Sequence, residues 1–470
     1  MTRAAPAQAT LLFASVGDDG GEDLRVVAAT GTRVPPGWLR SASTRRDGLV
    51  QSADLTATVL SVVGAPVPNE VVGAPLATTA GLSGPRRAAR LTDFERQAHA
   101  TRAAVPWFFN AMVLAGTALS AYAWWTLREP RSSRCRRWLR WAALWLGAVP
   151  VSSFLVTLVP WWQAPAAPVV LAVLVASLAA ALAGVAWFWP RPSSPMGSAL
   201  VVAVVTMVVL GVDVVTGSRL QMASLMGVQP VVGGRFYGLG NTAFAVFAVA
   251  TVVVCAAVAA GARRHPRLGV LCGVGVAAAA VVVDAAPGLG ADGGGPLALA
   301  PGLGLCIVTA AGVRVTWSRV ILLVGQGVVL VAAVAVADWA RPPGKRTHLG
   351  RFVQSIMDGD AVQVVGRKAA ANLALVPSFL TVLVVVAAVS VVWLTQAPQL
   401  ERLRRALVAD GRAPRAALVG AVVVLVVGML VNDSGVAVGA AGAMVGLPLL
   451  VASFARADSD RMVCAPGGPS

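Results

Sequence analysis

The chain has 470 residues, 57% hydrophobic and only 13% charged, with 38 lysines and arginines against 21 acids and a net charge of +17. A soluble globular domain is about one-quarter charged, so that class is excluded. Nucleic-acid binding is not expected either, because the arginines sit in short segments between apolar runs rather than in a basic patch or tail.

Residues 1–100 differ from the rest. Short apolar runs alternate with Gly, Pro and Asp: ATLLFASV and LRVVAAT read as strands, and DLTATVLSVVG as a short amphipathic helix with Asp54 as N-cap. The apolar run after Arg3 is short and has no clear cleavage site, so no signal peptide is expected.

From residue 101 the pattern changes to long apolar runs. Eleven are expected, at 105–126, 140–161, 167–189, 198–216, 240–260, 268–284, 293–312, 318–337, 372–394, 416–431 and 436–454. A helix crossing a hydrocarbon core of about 30 Å needs roughly 20 residues. The fold class is therefore an all-α polytopic membrane bundle at 101–470, preceded by a small α/β segment at 1–100.

Four connecting segments are arginine-rich: REPRSSRCRR, ARRHPR, RVTWSR and ERLRRALVADGRAPR. With eleven spans they all fall on one side, which the positive-inside rule makes the cytoplasm. The amino-terminal segment then lies outside and the carboxyl terminus inside.

The opposite connections carry the groups with chemical potential. GSRLQMASLMGVQPVVGGRFYGLGN holds Arg219, Arg235, Tyr237 and Asn241; DAAPGLGADGGG holds Asp284 and Asp292. The stretch from Asp338 to Lys368 holds Arg341, His348, Arg351, Asp358, Asp360 and Arg367, and NDSG supplies Asn432 and Asp433. Carboxylates near membrane depth are costly unless they face a polar cavity or a partner. Two readings stand: one external cavity lined by Arg235, Asp284, Asp292, His348, Arg351 and Asp433, or polar loop ends with arginines snorkelling to the headgroups. Asp284 and Asp292 are candidate general bases; Arg235, Tyr237, Asn241, His348, Arg351, Asn432 and Asp433 are candidate substrate-binding residues.

Three further patterns stand out in the sequence. Gly288-Leu-Gly290-Ala-Asp-Gly293 matches GxGxxG but lacks the strand and βαβ unit of a dinucleotide site. Gly435, Gly439, Gly442 and Gly446 read as a close helix-packing face. The basic stretch 345–368 has spaced apolar residues and reads as an interfacial amphipathic segment, where Arg351, Arg367 and Lys368 suit phosphate. Five scattered cysteines without a CxxC pair, and three histidines, suggest no metal site or disulfide framework; no cofactor is implied.

SVGDDG at 15–20, PGWLRSASTRRDGLVQSADLTATVLSVVGAPVP at 36–68 and the following VGAPL resemble the carboxyl-terminal end of an alkaline-phosphatase-superfamily domain. Asp54, Thr58, Leu60 and Gly64 match that superfamily's D-h-x-P-T-h-L…L-G pattern, with Ala57 in place of the proline. SVGDDG is similar to its S-D-H-G metal-binding turn, with Asp19 in place of histidine. The resemblance covers under a fifth of the chain and implies that nucleophile-bearing parts lie outside it, so two-metal phosphotransfer is not expected. The whole chain resembles large actinobacterial membrane proteins joining such a segment to spans bearing GRFYGLGN, APGLGAD, THLGR and NDSG. That resemblance implies architecture without assigning a reaction.

The expected partners are membrane lipids and a lipid-linked or phosphate-containing envelope precursor, handled at the outer face of the cytoplasmic membrane by a transferase. A proton- or ion-coupled transporter or flippase and a non-catalytic envelope scaffold are the alternatives.

Overall fold

The computed structural model describes residues 9–15, 23–32, 34–66, 68, 71, 73–129, 132–189, 196–233, 235–262, 264–342, 346, 348–359, 361–409 and 411–463. The metal-turn-like SVGDDG with Asp19 lies outside the described residues except for Ser15, as do Asp360 and the side chains of His348 and Lys368.

The amino-terminal segment forms β1 (Leu11–Ala14) and β2 (Val27–Thr30), paired antiparallel, and β3 (Trp38–Arg40) and β4 (Ala77–Thr79), also antiparallel. Between these pairs lies α1 (Ser52–Val62). Asp54 is not the N-cap: the helix opens on Gln51, and Asp54 sits in its first turn. The buried carboxylate accepts from Gln51 N at 2.8 Å, Ser43 Oγ at 2.7 Å and Ala74 N at 2.9 Å. Thr58 Oγ1 accepts from Leu76 N at 3.0 Å. Two of the residues carrying the phosphatase-like pattern thus pin the 74–76 segment to α1.

The membrane region begins with α2 (Gly84–Leu127), one helix of 44 residues. Residue 100 lies inside it, so the change in composition there has no break in secondary structure. There follow α3 (Ser133–Leu155), α4 (Ala167–Phe188), α5 (Gly197–Val215), α6 (Asn241–Gly261), α7 (Pro266–Ala285), α8 (Gly295–Ala310) and α9 (Trp317–Trp339). Then come α10 (His348–Met357), α11 (Ala361–Leu375), α12 (Leu380–Gln396), α13 (Glu401–Ala409), α14 (Ala413–Val431) and α15 (Val436–Val463).

Every one of the eleven expected runs forms a helix. Among the described residues nine helices are long and apolar enough to cross a membrane, or ten if α12 and its continuation, bent by 64°, count as one. The 16-residue α8 falls below that length, at about 24 Å. Its path follows α14 even so. Near its start Gly294 faces Asn432, midway Gly302 abuts Val424, and just past its end Arg412 Nη1 donates to Ala311 O at 3.0 Å.

One expectation in the later chain is corrected. The ninth run begins at Leu380 rather than 372, because Val376 precedes Pro377 and such a residue is pushed out of the α region. The stretch 345–368 contains two helices, α10 and the start of α11, separated at Gly359 with φ +88°. The core lies around α6, buried on nearly every side by α5, α7, α8, α14 and α15.

Candidate functional site

Four of the polar connections and the amino-terminal segment meet at one end of the bundle. The connection 216–240 folds back on itself around Asp213, in the last turn of α5. Asp213 Oδ1 accepts from Leu220 N at 2.7 Å and its Oδ2 from Gln221 Nε2 at 3.2 Å; Gln221 Oε1 in turn accepts from Gly240 N at 3.2 Å. From outside, Arg46 reaches across the same connection. Its Nε donates to Phe236 O at 2.9 Å and its Nη2 to Ser218 O at 2.7 Å. Desolvation is the largest influence on Arg46 and lowers its pKa from the ordinary arginine value; the charge of Asp213 opposes this and that of Arg219 adds to it. Arg45 lies 3.9 Å over the ring of Tyr237, a cation–π contact.

The 216–240 connection then meets the α7–α8 turn. Leu239 N donates to Gly290 O at 3.2 Å, and Arg235 Nη2 stands 3.8 Å from Asp292 Oδ1. Arg235 Nη1 also donates to Leu239 O. The turn is tight: Gly290 N donates to Val283 O at 2.8 Å and Asp292 N to Asp284 O at 3.0 Å, while Ala291 takes φ +50°. A Cβ on Gly290 would overlap the Asp284 carbonyl, and one on Gly295 would overlap the Asp284 carboxylate. These two glycines allow the α8 start to close over Asp284. The GxGxxG match is therefore a helix–helix turn, with no strand before it.

The third connection is NDSG. Asn241 Nδ2, at the start of α6, donates to Asp433 Oδ1 at 2.7 Å and to Ser434 Oγ. A Cβ on Gly294 would stand 3.9 Å from Asn432 Nδ2. The starts of α6, α8 and α15 are thereby brought together. Asp292 Oδ1 accepts from Gly294 N at 3.2 Å, immediately before the first turn of α8.

The fourth connection, after α9, arrives through α10. Asp338 Oδ2 accepts from Gly350 N at 2.8 Å and its Oδ1 from Arg341 Nη1 at 3.2 Å, so the buried Asp338 caps α10. Leu349 then reaches a cavity of about 10 Å3 that it shares with Asp292, Gly293, Pro296 and Leu330. That volume suits one water molecule.

Of the residues singled out from sequence, Arg235, Asn241, Asp284, Asp292, Asn432 and Asp433 form one contiguous set. Tyr237 flanks it beneath Arg45, and Arg351 lies on α10, next to Gly350. The expected open cavity is not what the described residues form. The glycine-rich turns let the connections pack on one another, and Asp284 is fully enclosed rather than lining a surface. Both its carboxylate oxygens, and Asp292 Oδ2, are buried without a hydrogen-bond partner among the described residues. Asp433 is exposed and Asp292 is 4% exposed.

Sequence reasoning passed over Asp213, Gln221, Arg45 and Arg46. The first two sit inside an apolar helix end and a bland loop; the arginines read as part of a domain fragment. An arginine pair in a segment otherwise poor in structure was the signal available. Among the described residues no group of three or more His, Cys, Asp or Glu side chains is placed to hold a metal ion.

No protein-family model, no curated protein and no solved structure matches the chain.

Proposed function

We propose that this end of the bundle binds the phosphate of a lipid-linked envelope substrate, at the outer face of the cytoplasmic membrane, and that the protein acts on it as a transferase. The observation that carries the reading is the convergence of three helix starts, α6, α8 and α15, beside Arg235. Helix amino termini present free N–H groups and the positive end of the helix dipole, which favour anions. Discontinuous membrane helices use that arrangement to hold anionic groups at depth. Asp292 is the candidate general base, because its Oδ2 has no hydrogen-bond partner among the described residues and it lies nearer the surface than Asp284. Arg45 and Arg46 couple the amino-terminal segment to the same connection.

In this reading the eleven apolar runs cross the membrane, with α8 running beside α14, and the arginine-rich connections face the cytoplasm. Reporter fusions at Arg134 and Arg404 should both report an internal location; an external signal at either removes the assignment of sides.

The decisive experiment compares envelope lipids and lipid-linked glycans by mass spectrometry in cells with the wild-type protein, Asp292→Asn, Arg235→Ala or no protein. The same phosphate-bearing precursor should accumulate in the last three. Indistinguishable profiles with and without the protein overturn the proposal, and accumulation only on deletion indicates a scaffold.

A second reading has its own observation. The enclosed, unpartnered Asp284 suits a proton site in a coupled carrier. Proton uptake into liposomes, driven by substrate and lost in Asp284→Asn, would favour it over a transferase.

A further inference from the structure

A further cavity lies away from the site just described. It measures about 680 Å3 and is bounded by α12, α13, α14 and α15, with α6 behind it. Helices α12 and α14 each pack on α15, and the cavity occupies the cleft between them. Its walls include Val384 and Val392 of α12, Leu425 and Met429 of α14, and Gly442 and Gly446 of α15. The glycines of α15 make room: Gly439 faces Met429 and Gly442 faces Leu425, as a close packing face requires.

Polarity is confined to one end. Thr395, Gln396, Arg404 and Arg415 line the cavity where α12 ends and α14 begins, and the far end, at Val384, Met429 and Gly439, is apolar. Arg404 donates through Nη1 to Ala397 O at 2.6 Å and pairs through Nη2 with Glu401, which fixes its guanidinium at the bend after α12. Arg415 is exposed and has no ion pair among the described residues. Along α14 the walls run from Arg415 to Met429, a rise of about 21 Å. One acyl chain reaches through a leaflet, about 15 Å of a hydrocarbon core about 30 Å thick.

We infer that this cavity is a binding site for an anionic phospholipid, whose phosphate meets Arg404 and Arg415 and whose acyl chain lies along α14 toward Met429. Charge complementarity selects the occupant. A wholly apolar cleft takes any lipid tail, whereas Arg415, together with Arg404 beside its Glu401 partner, leaves a net positive charge at the mouth and favours a headgroup with net negative charge. The volume falls within the usual range for small-molecule sites, about 300–1,000 Å3. The site is separate from Arg235 and Asp292, so it stands or falls independently of the proposed transferase.

The test uses the full-length protein, purified in detergent and titrated with phosphatidylglycerol or phosphatidylcholine, with bound lipid counted by native mass spectrometry. Phosphatidylglycerol should bind at one saturable site and phosphatidylcholine markedly more weakly. Arg404→Gln and Arg415→Gln should each weaken phosphatidylglycerol roughly five-fold, since a basic residue near an anionic surface is worth about a factor of that size, and leave phosphatidylcholine unchanged. Ala388→Phe, which fills the cleft from the exposed side of α12, should abolish both without lowering the unfolding temperature. Equal binding of the two lipids, indifference to the arginines, or saturable binding that survives Ala388→Phe would each overturn the assignment.

Discussion

The two ends of the bundle treat charge in opposite ways. At the end holding Arg235 and Asp292, carboxylates are drawn inward: Asp213, Asp284, Asp292 and Asp338 are all buried. At the other, arginines point to backbone oxygens and hydroxyls. Arg140 Nη2 and Arg456 Nη1 share Ser198 Oγ at 2.6 and 2.9 Å, and Arg412 holds Ala311 O. Arginine carries a long apolar stem and suits a membrane boundary without further support. A buried carboxylate needs donors or a function, because leaving it unpaired is costly. Asp213 and Asp338 have donors. Asp284 has none among the described residues, and that contrast is the observation behind the chemistry proposed for the acidic end.

Substitutions at the two ends should separate these roles. The largest loss is expected from Gly295→Val, whose side chain would drive into the Asp284 carboxylate; overpacking of this kind costs about 3 kcal/mol, read as a fall in the unfolding temperature in detergent. Asp284→Asn, by contrast, should hold or raise that temperature while abolishing function. A variant that loses both together would make Asp284 a purely structural residue.

Next in size is Asp54→Ala, which leaves three donors without their acceptor. It should destabilise the amino-terminal segment by roughly 2–3 kcal/mol and expose it to limited proteolysis, with the membrane helices unaffected. Arg46→Ala removes two bonds to backbone carbonyls and should loosen the 216–240 connection by about 2 kcal/mol, seen as faster amide exchange at residues 218–240. At the arginine-rich end Ser198→Ala should cost about 1–2 kcal/mol and leave envelope lipids unchanged. The smallest effect belongs to Arg45→Ala, about 1 kcal/mol for a half-buried cation–π contact, with exchange altered only near Tyr237.

The helices of the membrane region were legible because apolar length is a one-dimensional signal. Each of the eleven runs falls on a helix, but the ends differ: α2 begins at Gly84 rather than 105, α3 ends at Leu155 rather than 161, and Pro377 interrupts the ninth run. The set Arg235, Asn241, Asp292, Asn432 and Asp433 was legible as polar groups at the ends of apolar runs. What stayed hidden depends on three-dimensional contact. Nothing local says that Gly290 and Gly295 seal Asp284, or that Arg46 reaches Ser218 and Phe236 about 170–190 positions along the chain. An open cavity was expected because glycines and acids together suggest solvent; here the glycines serve close packing instead.

The 44-residue α2 has a mechanical consequence. At about 66 Å it is twice the thickness of a hydrocarbon core, so it is both a membrane crossing and a mast standing clear of it. The mast is stayed at two heights: Asp93 takes bonds from Trp162 and Gln163, and Thr101 donates from its Oγ1 to Ala223 O, while Arg46 separately ties the amino-terminal segment to Ser218. The amino-terminal segment and the raised part of α2 therefore grip the 216–240 connection together, at Ser218, Ala223 and Phe236.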